Sequence, residues 1–464
     1  MAVKIRFLGG VKTVTGSSHL VHNDRTQVLL DAGLYQGRRD EFYAVNSTFS
    51  FAPRQLDAFV LSHAHVDHCG NIPSLIRKGM RCKIYATHAT RDLTRLMLED
   101  AAKIQEEDIK YVNKINKRLG LPLRNLLYNQ KDVSNAIRRI HPVPYDKSIM
   151  IAKDFHLVLL DAGHILGSSI IVLEIKDNDR VIKVGYAVDL GRNNLPMLNN
   201  PEIPKGLDYL ILESTYGGRQ HTPVEDAKGH LKEVVNRTIA RGGKIIIPAF
   251  SLERTQEVIY LLDELLKEKA IPAIPVYVDS PLSAQITEAF IFHADYMNSK
   301  AAHAIQHGQN PFEFINLRFV ASQDESKGLN MDKRPMVIIA GSGMCESGRV
   351  LHHLKNNIED SRNTVLVVGY MAKDTLGKKI VDKSKIVRIF GVEHELNAEV
   401  VVMNSLSAHA DKNDLANFVF ESLPLKRIFL VHGDPEQSQI LADTLSASGL
   451  NVHIPDIEEE VELI

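Results

Sequence analysis

The stretch Phe59-Val-Leu-Ser-His63-Ala-His65-Val-Asp67-His68-Cys-Gly70-Asn-Ile-Pro73 constrains this chain more than any other. Phe59-Val60-Leu61 reads as the end of a buried strand, and a helix is expected to start near Pro73. Between them, four metal-capable side chains stand within six residues. His63, His65 and Asp67 occupy alternate positions, so an extended backbone points all three to one side, with His68 out of phase. One cation can then take the two imidazoles while a second takes Asp67 and His68. Nitrogen and carboxylate donors suit zinc, and also manganese or iron. Polar loops seldom place three histidines and an aspartate at this spacing directly behind an apolar strand.

Further ligand types stand at or just past other apolar runs. Phe155 to Leu160 leads into Asp161-Ala-Gly-His164, Arg180 to Val188 ends in Asp189-Leu-Gly191, and Arg427 to Val431 ends in His432-Gly433. Gln27 to Leu30 ends in Asp31-Ala-Gly33, where Asp31 taken alone is read as a turn former. If Asp189 bridges, His63, His65 and His164 hold one metal and Asp67, His68 and His432 hold the other. Both keep a position for a shared hydroxide, the arrangement that suits in-line displacement at phosphorus. His409, in Ser407-Ala-His-Ala-Asp411, is the candidate general acid, oriented or kept protonated by Glu213. Asp67 completes the catalytic set with them.

The chain has 464 residues, enough for two sizeable cores, and an apolar fraction of 44% that fits a globular protein. Lys plus Arg total 55 against 57 for Asp plus Glu. That balance argues against broad coating of nucleic acid but leaves room for a local basic cleft. Three unpaired cysteines, Cys69, Cys82 and Cys345, argue for a reducing compartment and against a thiolate zinc site. No apolar run approaches ~18 residues and no signal peptide is read at the amino terminus, so no membrane association and a cytoplasmic location are expected.

Along the chain, residues 1 to 60 read as strand-rich, and Thr87 to about Asn116 reads as a helix. A second helix is expected from Asp132 to Ile140. From about 225 to 390 helices and strands alternate, which predicts a mostly parallel sheet covered on both faces and inserted into the first domain. The boundaries are placed at 1–216, 217–402 and 403–464. Gly341-Ser342-Gly343 and Gly369-Tyr370 follow strands at the expected carboxyl edge of that sheet, where main-chain amides can cradle a phosphate. Arg254, Arg349 and Arg192 are candidate backbone-phosphate contacts. The acidic tail Asp456 to Ile464 reads as an exposed strand or tail.

The motif His63-Ala-His65-Val-Asp67-His68, with Asp31, His164 and Asp189, resembles the metallo-β-lactamase superfamily. Glu213-Ser-Thr-Tyr216-Gly, Pro248-Ala-Phe-Ser-Leu-Glu-Arg254-Thr-Gln256, Asp279-Ser-Pro281, Gly343-Met344, Gly369-Tyr370, Ser407-Ala-His409-Ala-Asp411 and His432-Gly433 resemble its β-CASP branch of nucleic-acid nucleases. The resemblance covers nearly the whole chain. It implies an α/β fold, a four-layered αββα sandwich carrying an inserted parallel-sheet β-CASP domain, with two zinc ions in the cleft between them. It makes Glu213, His409 and His432 the three β-CASP motif residues and Asp31 a support of the metal site. A histidine at the third position favours RNA over DNA. The chain resembles the stand-alone ribonucleases related to the nuclease subunit that cleaves pre-mRNA 3′ ends, without the added domains of archaeal relatives or ribonuclease J. It departs from the family at Met371, at Lys373-Asp374, and at Glu253, a position often glycine.

The expected function is zinc-dependent hydrolysis of single-stranded RNA, with Ser342, Gly343, Tyr370 and Arg254 on the RNA path and Mn2+ as the other ion the site can take. A homodimer is expected from the habit of such nucleases. The alternatives are a hydrolase of another ester or of DNA, and a catalytically silent RNA-binding scaffold. A silent scaffold would have lost ligands, and here every one is present.

Overall fold

The protein is described by a computed structural model covering residues 2–37, 39–372 and 374–464, so Lys373 lies outside the described residues. The chain forms two units. One comprises Met1–Asn193, Asn200–Gln220 and His409–Ile464, and the other Asn194–Asn199 and His221–Ala408.

The first unit is built on two sheets of seven strands each among the described residues. The first sheet runs, edge to edge, through Glu460–Leu463, Val3–Gly9, Ser18–His22, Gln27–Leu30, Ala58–Val60, Lys83–Ala86 and Ile140–Pro142. The second runs through Val452–His453, Arg427–Val431, Tyr209–Glu213, Arg180–Ala187, Ser169–Asp177, Phe155–Asp161 and Ile149–Ala152. Alternation with period two sets their inner faces. Val3, Ile5 and Phe7 meet Phe155, Leu157, Leu159, Ile171 and Leu173 in one core. The outer face of the first sheet, with Leu29, Phe59 and Ile84, packs on helical Ile72, Leu75 and Leu98. The outer face of the second, with Leu210, Leu212 and Leu430, packs on helical Leu415, Phe418 and Leu441. Helix, sheet, sheet and helix thus form four layers.

The acidic tail is a structural strand. Glu460–Leu463 pairs antiparallel with the amino-terminal strand, Leu463 is fully buried, and Glu460 meets Lys4 at 2.9 Å. The second expected helix is Gln130–Ile137, opened by a capping box between Asn129 and Asp132, and Ile140 already belongs to a strand. The long helix spans His88–Leu119, with Thr87 accepting from the Thr90 amide at its start and Gly120 in the left-handed region at its end. No helix among the described residues is long and apolar enough to cross a membrane.

The second unit holds a six-stranded sheet in the order Leu317–Phe319, Val276–Val278, Val337–Ala340, Ile245–Pro248, Thr364–Val367 and Glu399–Val402. Every pairing in it is parallel. Both faces of the central strands are buried, as near-continuous runs such as Ile245-Ile-Ile and Val337-Ile-Ile require. The helix after Ile245–Pro248 begins at Arg254, preceded by Glu253 at φ 68° and ψ −59°. This left-handed backbone accounts physically for a position often occupied by glycine.

Candidate metal centre

Strand direction gathers the candidate ligands. Tyr209–Glu213 lies parallel between Arg180–Ala187 and Arg427–Val431, with Leu212 opposite Ala187 and Glu213 opposite Val431. Asp189, Glu213 and His432 therefore emerge at one end of the second sheet. In the first sheet Gln27–Leu30 lies parallel to Ala58–Val60, so Asp31 and the Ser62-His63 loop emerge together. The extended backbone expected from His63 to Asp67 ends at His65. Val66–Cys69 is a helical turn with His65 at its N-cap, because the amides of His68 and Cys69 donate to the His65 carbonyl. Close main-chain packing seals the loops. A Cβ on Gly33 would fall 1.5 Å from the Asp67 carbonyl oxygen, so only glycine fits there.

Two groups of donors result. In the first, His63, His65, His164 and Asp189 bring their ligand atoms within 4.8 Å of one another. His63 Nε2 lies 3.0 Å from His65 Nδ1, and His164 Nε2 lies 3.2 Å from it. Asp189 Oδ2 is 3.2 Å from His63 Nε2 and 3.1 Å from His164 Nε2. Burial holds His63 and His164 down to about 3, so both are neutral and carry lone pairs. In the second, Asp67, His68 and His432 come together. His68 Nε2 is 3.3 Å from His432 Nε2, and His432 Nε2 is 3.6 Å from Asp67 Oδ2. Asp189 Oδ1 lies 3.3 Å from both His68 Nε2 and His432 Nδ1, so one carboxylate faces both groups. Burial alone would raise the Asp189 pKa, but the surrounding imidazoles, led by His432 and His68, hold it well below the usual carboxylate range.

Beside these, Glu213 and His409 form a third cluster with Asp189. Glu213 is fully buried and accepts from the Leu190 amide at 2.6 Å. His409 is fixed by a main-chain bridge to Gly191 and by Nδ1, 3.0 Å from Glu213 Oε2. Burial works to lower the His409 pKa, but the Glu213 carboxylate outweighs it and pushes the value up to about 9. The imidazole is therefore a proton carrier at neutral pH, with Nε2 turned away from Glu213.

The donor sets fit cations. Ring nitrogens of His63, His65 and His164 crowd within 3.0–3.2 Å of one another or of a carboxylate oxygen, and Asp189 Oδ1 is buried without a hydrogen-bond donor. Nitrogen and oxygen donors without thiolates match a borderline to hard divalent ion.

Residues that spacing did not single out hold the candidate ligands in place. Asp31, a turn former on local pattern and a support of the metal site on the family resemblance, is fully buried at φ 57° and accepts from the Ser62 amide, Ser62 Oγ and Tyr186 Oη at 2.7–3.0 Å. It also lies against His68 Nδ1. Thr215 Oγ1 donates to the His432 carbonyl at 2.8 Å, which steadies a residue held at φ 47°. Single polar residues within strands carry no periodic signal. For Tyr186, the polar end to its apolar run was the sole clue.

Of the other predicted residues, Ser342, Gly343, Tyr370, Arg254 and Arg349 lie in the second unit, whereas Arg192 lies in the first and is buried. Ser342 and Gly343 follow Val337–Ala340, and Tyr370 follows Thr364–Val367. Arg254 starts a helix, is 7% exposed, and pairs with Glu257 one turn on. Its guanidinium is committed to that carboxylate, not to the surface.

Three families match in succession: a metallo-beta-lactamase superfamily domain over residues 20–206, a Beta-Casp domain over 255–380, and a Zn-dependent metallo-hydrolase RNA specificity domain over 393–455. The chain is 34% identical to Ribonuclease TTHA0252 of Thermus thermophilus, covering 98% of each chain. It is 32% identical to Transcription termination factor FttA of Methanosarcina mazei, over 96% of this chain and 69% of that protein. A solved protein of unknown function from Enterococcus faecalis shares the fold, with a TM-score of 0.57, 14% identity and full coverage of both chains. With its domain order, its relatives and its paired donor groups, the chain belongs to the β-CASP branch of the metallo-β-lactamase superfamily and is a metal-dependent hydrolase.

Proposed function

We propose that this protein is a ribonuclease that hydrolyses phosphodiester bonds of single-stranded RNA at a centre of two zinc ions. The observation that carries the reading is that Asp189 faces both donor groups, with His409 and Glu213 alongside. The similarity to a relative named as a ribonuclease, and the match to an RNA specificity domain, support RNA as substrate.

His63, His65 and His164 would hold one ion and Asp67, His68 and His432 the other, with Asp189 turned to both. Such ions, when bound, lower the pKa of the attacking water and draw charge from the phosphate, and Mn2+ can serve in place of Zn2+. Asp67, whose side chain is 22% exposed, can orient that water by accepting its hydrogen bond. His409 delivers the proton from Nε2 to the leaving ribose oxygen. Glu213 fixes the ring through Nδ1 and keeps it protonated until transfer. A 5′-phosphate and a 3′-hydroxyl are the products of this proton assignment. In the inserted unit, Ser342, Gly343 and Tyr370 are offered as contacts along the strand, and Arg254, paired to Glu257, as a positioning residue.

The test compares cleavage of one labelled sequence as single-stranded RNA and as DNA, with analysis of the product ends. RNA cut to 5′-phosphate ends, and no turnover in Asp189→Ala or His65→Ala variants that remain folded, is the expected result. Full turnover in both variants overturns the assignment.

A further inference from the structure

Three neighbouring strand tips of the second unit hold two exposed aromatic rings. Ile245–Pro248 is flanked on one side by Val337–Ala340 and on the other by Thr364–Val367, all parallel, so the three strands end at one edge. Phe250 follows the central strand, Gly343 one neighbour, and Gly369-Tyr370 the other. The Phe250 ring lies over Gly343, where a Cβ would come within 2.7–2.9 Å of ring atoms. A Cβ on Gly369 would stand 3.9 Å from the same ring. The ring therefore spans both glycine-bearing tips, in space that a side chain at Gly343 would close. The Phe250 carbonyl accepts from Thr255 N and Thr255 Oγ1, the latter at 2.7 Å, which pins its main chain.

Both rings nonetheless face solvent. Phe250 is 41% exposed and Tyr370 50%. Neither is paired with another aromatic ring or with a cation among the described residues. Adjacent strands lie about 5 Å apart, a spacing within the reach of neighbouring nucleotides along a single strand. Polar groups share this edge. Ser251 Oγ and Ser280 Oγ lie 3.2 Å apart beside Gly341. Arg349, 22% exposed, is steadied by Asp279 at 2.5 Å. An exposed, positioned aromatic surface next to hydroxyls and a guanidinium fits a nucleobase flanked by its sugar-phosphate.

We propose that Phe250 and Tyr370 form a stacking platform that receives two nearby bases of the single-stranded RNA substrate. The platform rests on the ribonuclease reading above. It binds bases by their faces and so tolerates every sequence, with purines favoured for their larger area. It needs no base-edge recognition, and it sets the register of the strand while leaving the chemistry to the metal centre.

The test uses the metal-loaded full chain and a labelled RNA in which one nucleotide at a time is replaced by an abasic ribose. On intact RNA, Phe250→Ala and Tyr370→Ala each raise KM about 5- to 100-fold, with the loss in KM and not in kcat. Tyr370→Phe restores the wild-type KM. In the wild type, abasic substitution at one or two positions reproduces the loss, and at those positions the alanine variants lose nothing more. Equal losses on intact and abasic RNA overturn the platform, as does a Tyr370→Phe variant that behaves like Tyr370→Ala. Self-association of the wild type that the same alanine variants abolish, with KM unmoved, assigns the rings to a protein interface and also overturns it. A wild type that binds and cuts no RNA defeats the ribonuclease reading itself. A wild type that cuts RNA beside unaffected variants defeats the platform alone.

Discussion

Asp31 Oδ2 lies 2.8 Å from His68 Nδ1, with both side chains fully buried. With Nδ1 held against this carboxylate, Nε2 faces Asp189 and His432, so Asp31 sets how a candidate ligand presents itself. Asp31→Asn preserves size but removes that charge. The expected result is a roughly 10- to 100-fold weaker hold on one of two ions, read by chelator competition. Unchanged affinity for both ions would remove Asp31 from the centre's support.

His409→Ala is expected to slow RNA cleavage about 100- to 10,000-fold with metal content intact. Elemental analysis beside single-turnover kinetics separates the possibilities. Loss of an ion in this variant would make His409 a ligand in place of a proton donor.

Asp279 ties together the inserted unit. It accepts from Ser326 Oγ, Arg349 Nη1 and His353 Nε2 at 2.5–2.6 Å, and is 1% exposed. Burial would raise its pKa, but hydrogen bonds from His353, Ser326 and Arg349 outweigh burial and lower it. Asp279→Ala leaves His353 and Arg349 without their partner and is expected to cost about 3–5 kcal/mol at pH 7, measured by urea unfolding. Because the folded-state value is depressed, this contribution is present above the unfolded carboxylate value of about 4 and fades as pH falls through the folded value. The gap between wild type and Asp279→Asn should therefore narrow in acid. A gap that widens there would contradict the assignment.

The candidate ligands were legible because each stands at or soon after an apolar run, four of the seven with a glycine within two residues, a pattern that survives without any contact information. Their convergence depends on parallel pairing of Tyr209–Glu213 with strands on both sides, one of them more than two hundred residues away in sequence. The extended reading of His63 to Asp67 failed at Val66, where one helical turn replaced alternation. Local pattern alone read Asp31 as a turn, because its partners Ser62 and Tyr186 are 31 and 155 residues distant; only the family resemblance placed it at the metal site. In the tail, alternation in Glu460-Val-Glu-Leu463 pointed to a strand. Its pairing with Lys4 and Ile5 across the whole chain could not be read from local pattern.

Arg254 shows the limit of motif reading. The motif places a guanidinium at a strand–helix junction, but Glu257 stands three residues further along the helix and captures it. The same junction exposes Phe250, a residue whose surface character nothing in its apolar side chain announces.

The central claim, that paired donor groups around Asp189 run RNA hydrolysis through bound cations, is tested most directly by titrating metal-stripped protein with zinc while following cleavage of labelled single-stranded RNA. The account predicts no cleavage without metal and recovery that saturates at two equivalents. Full cleavage by the metal-free protein, or saturation at one equivalent, would contradict it.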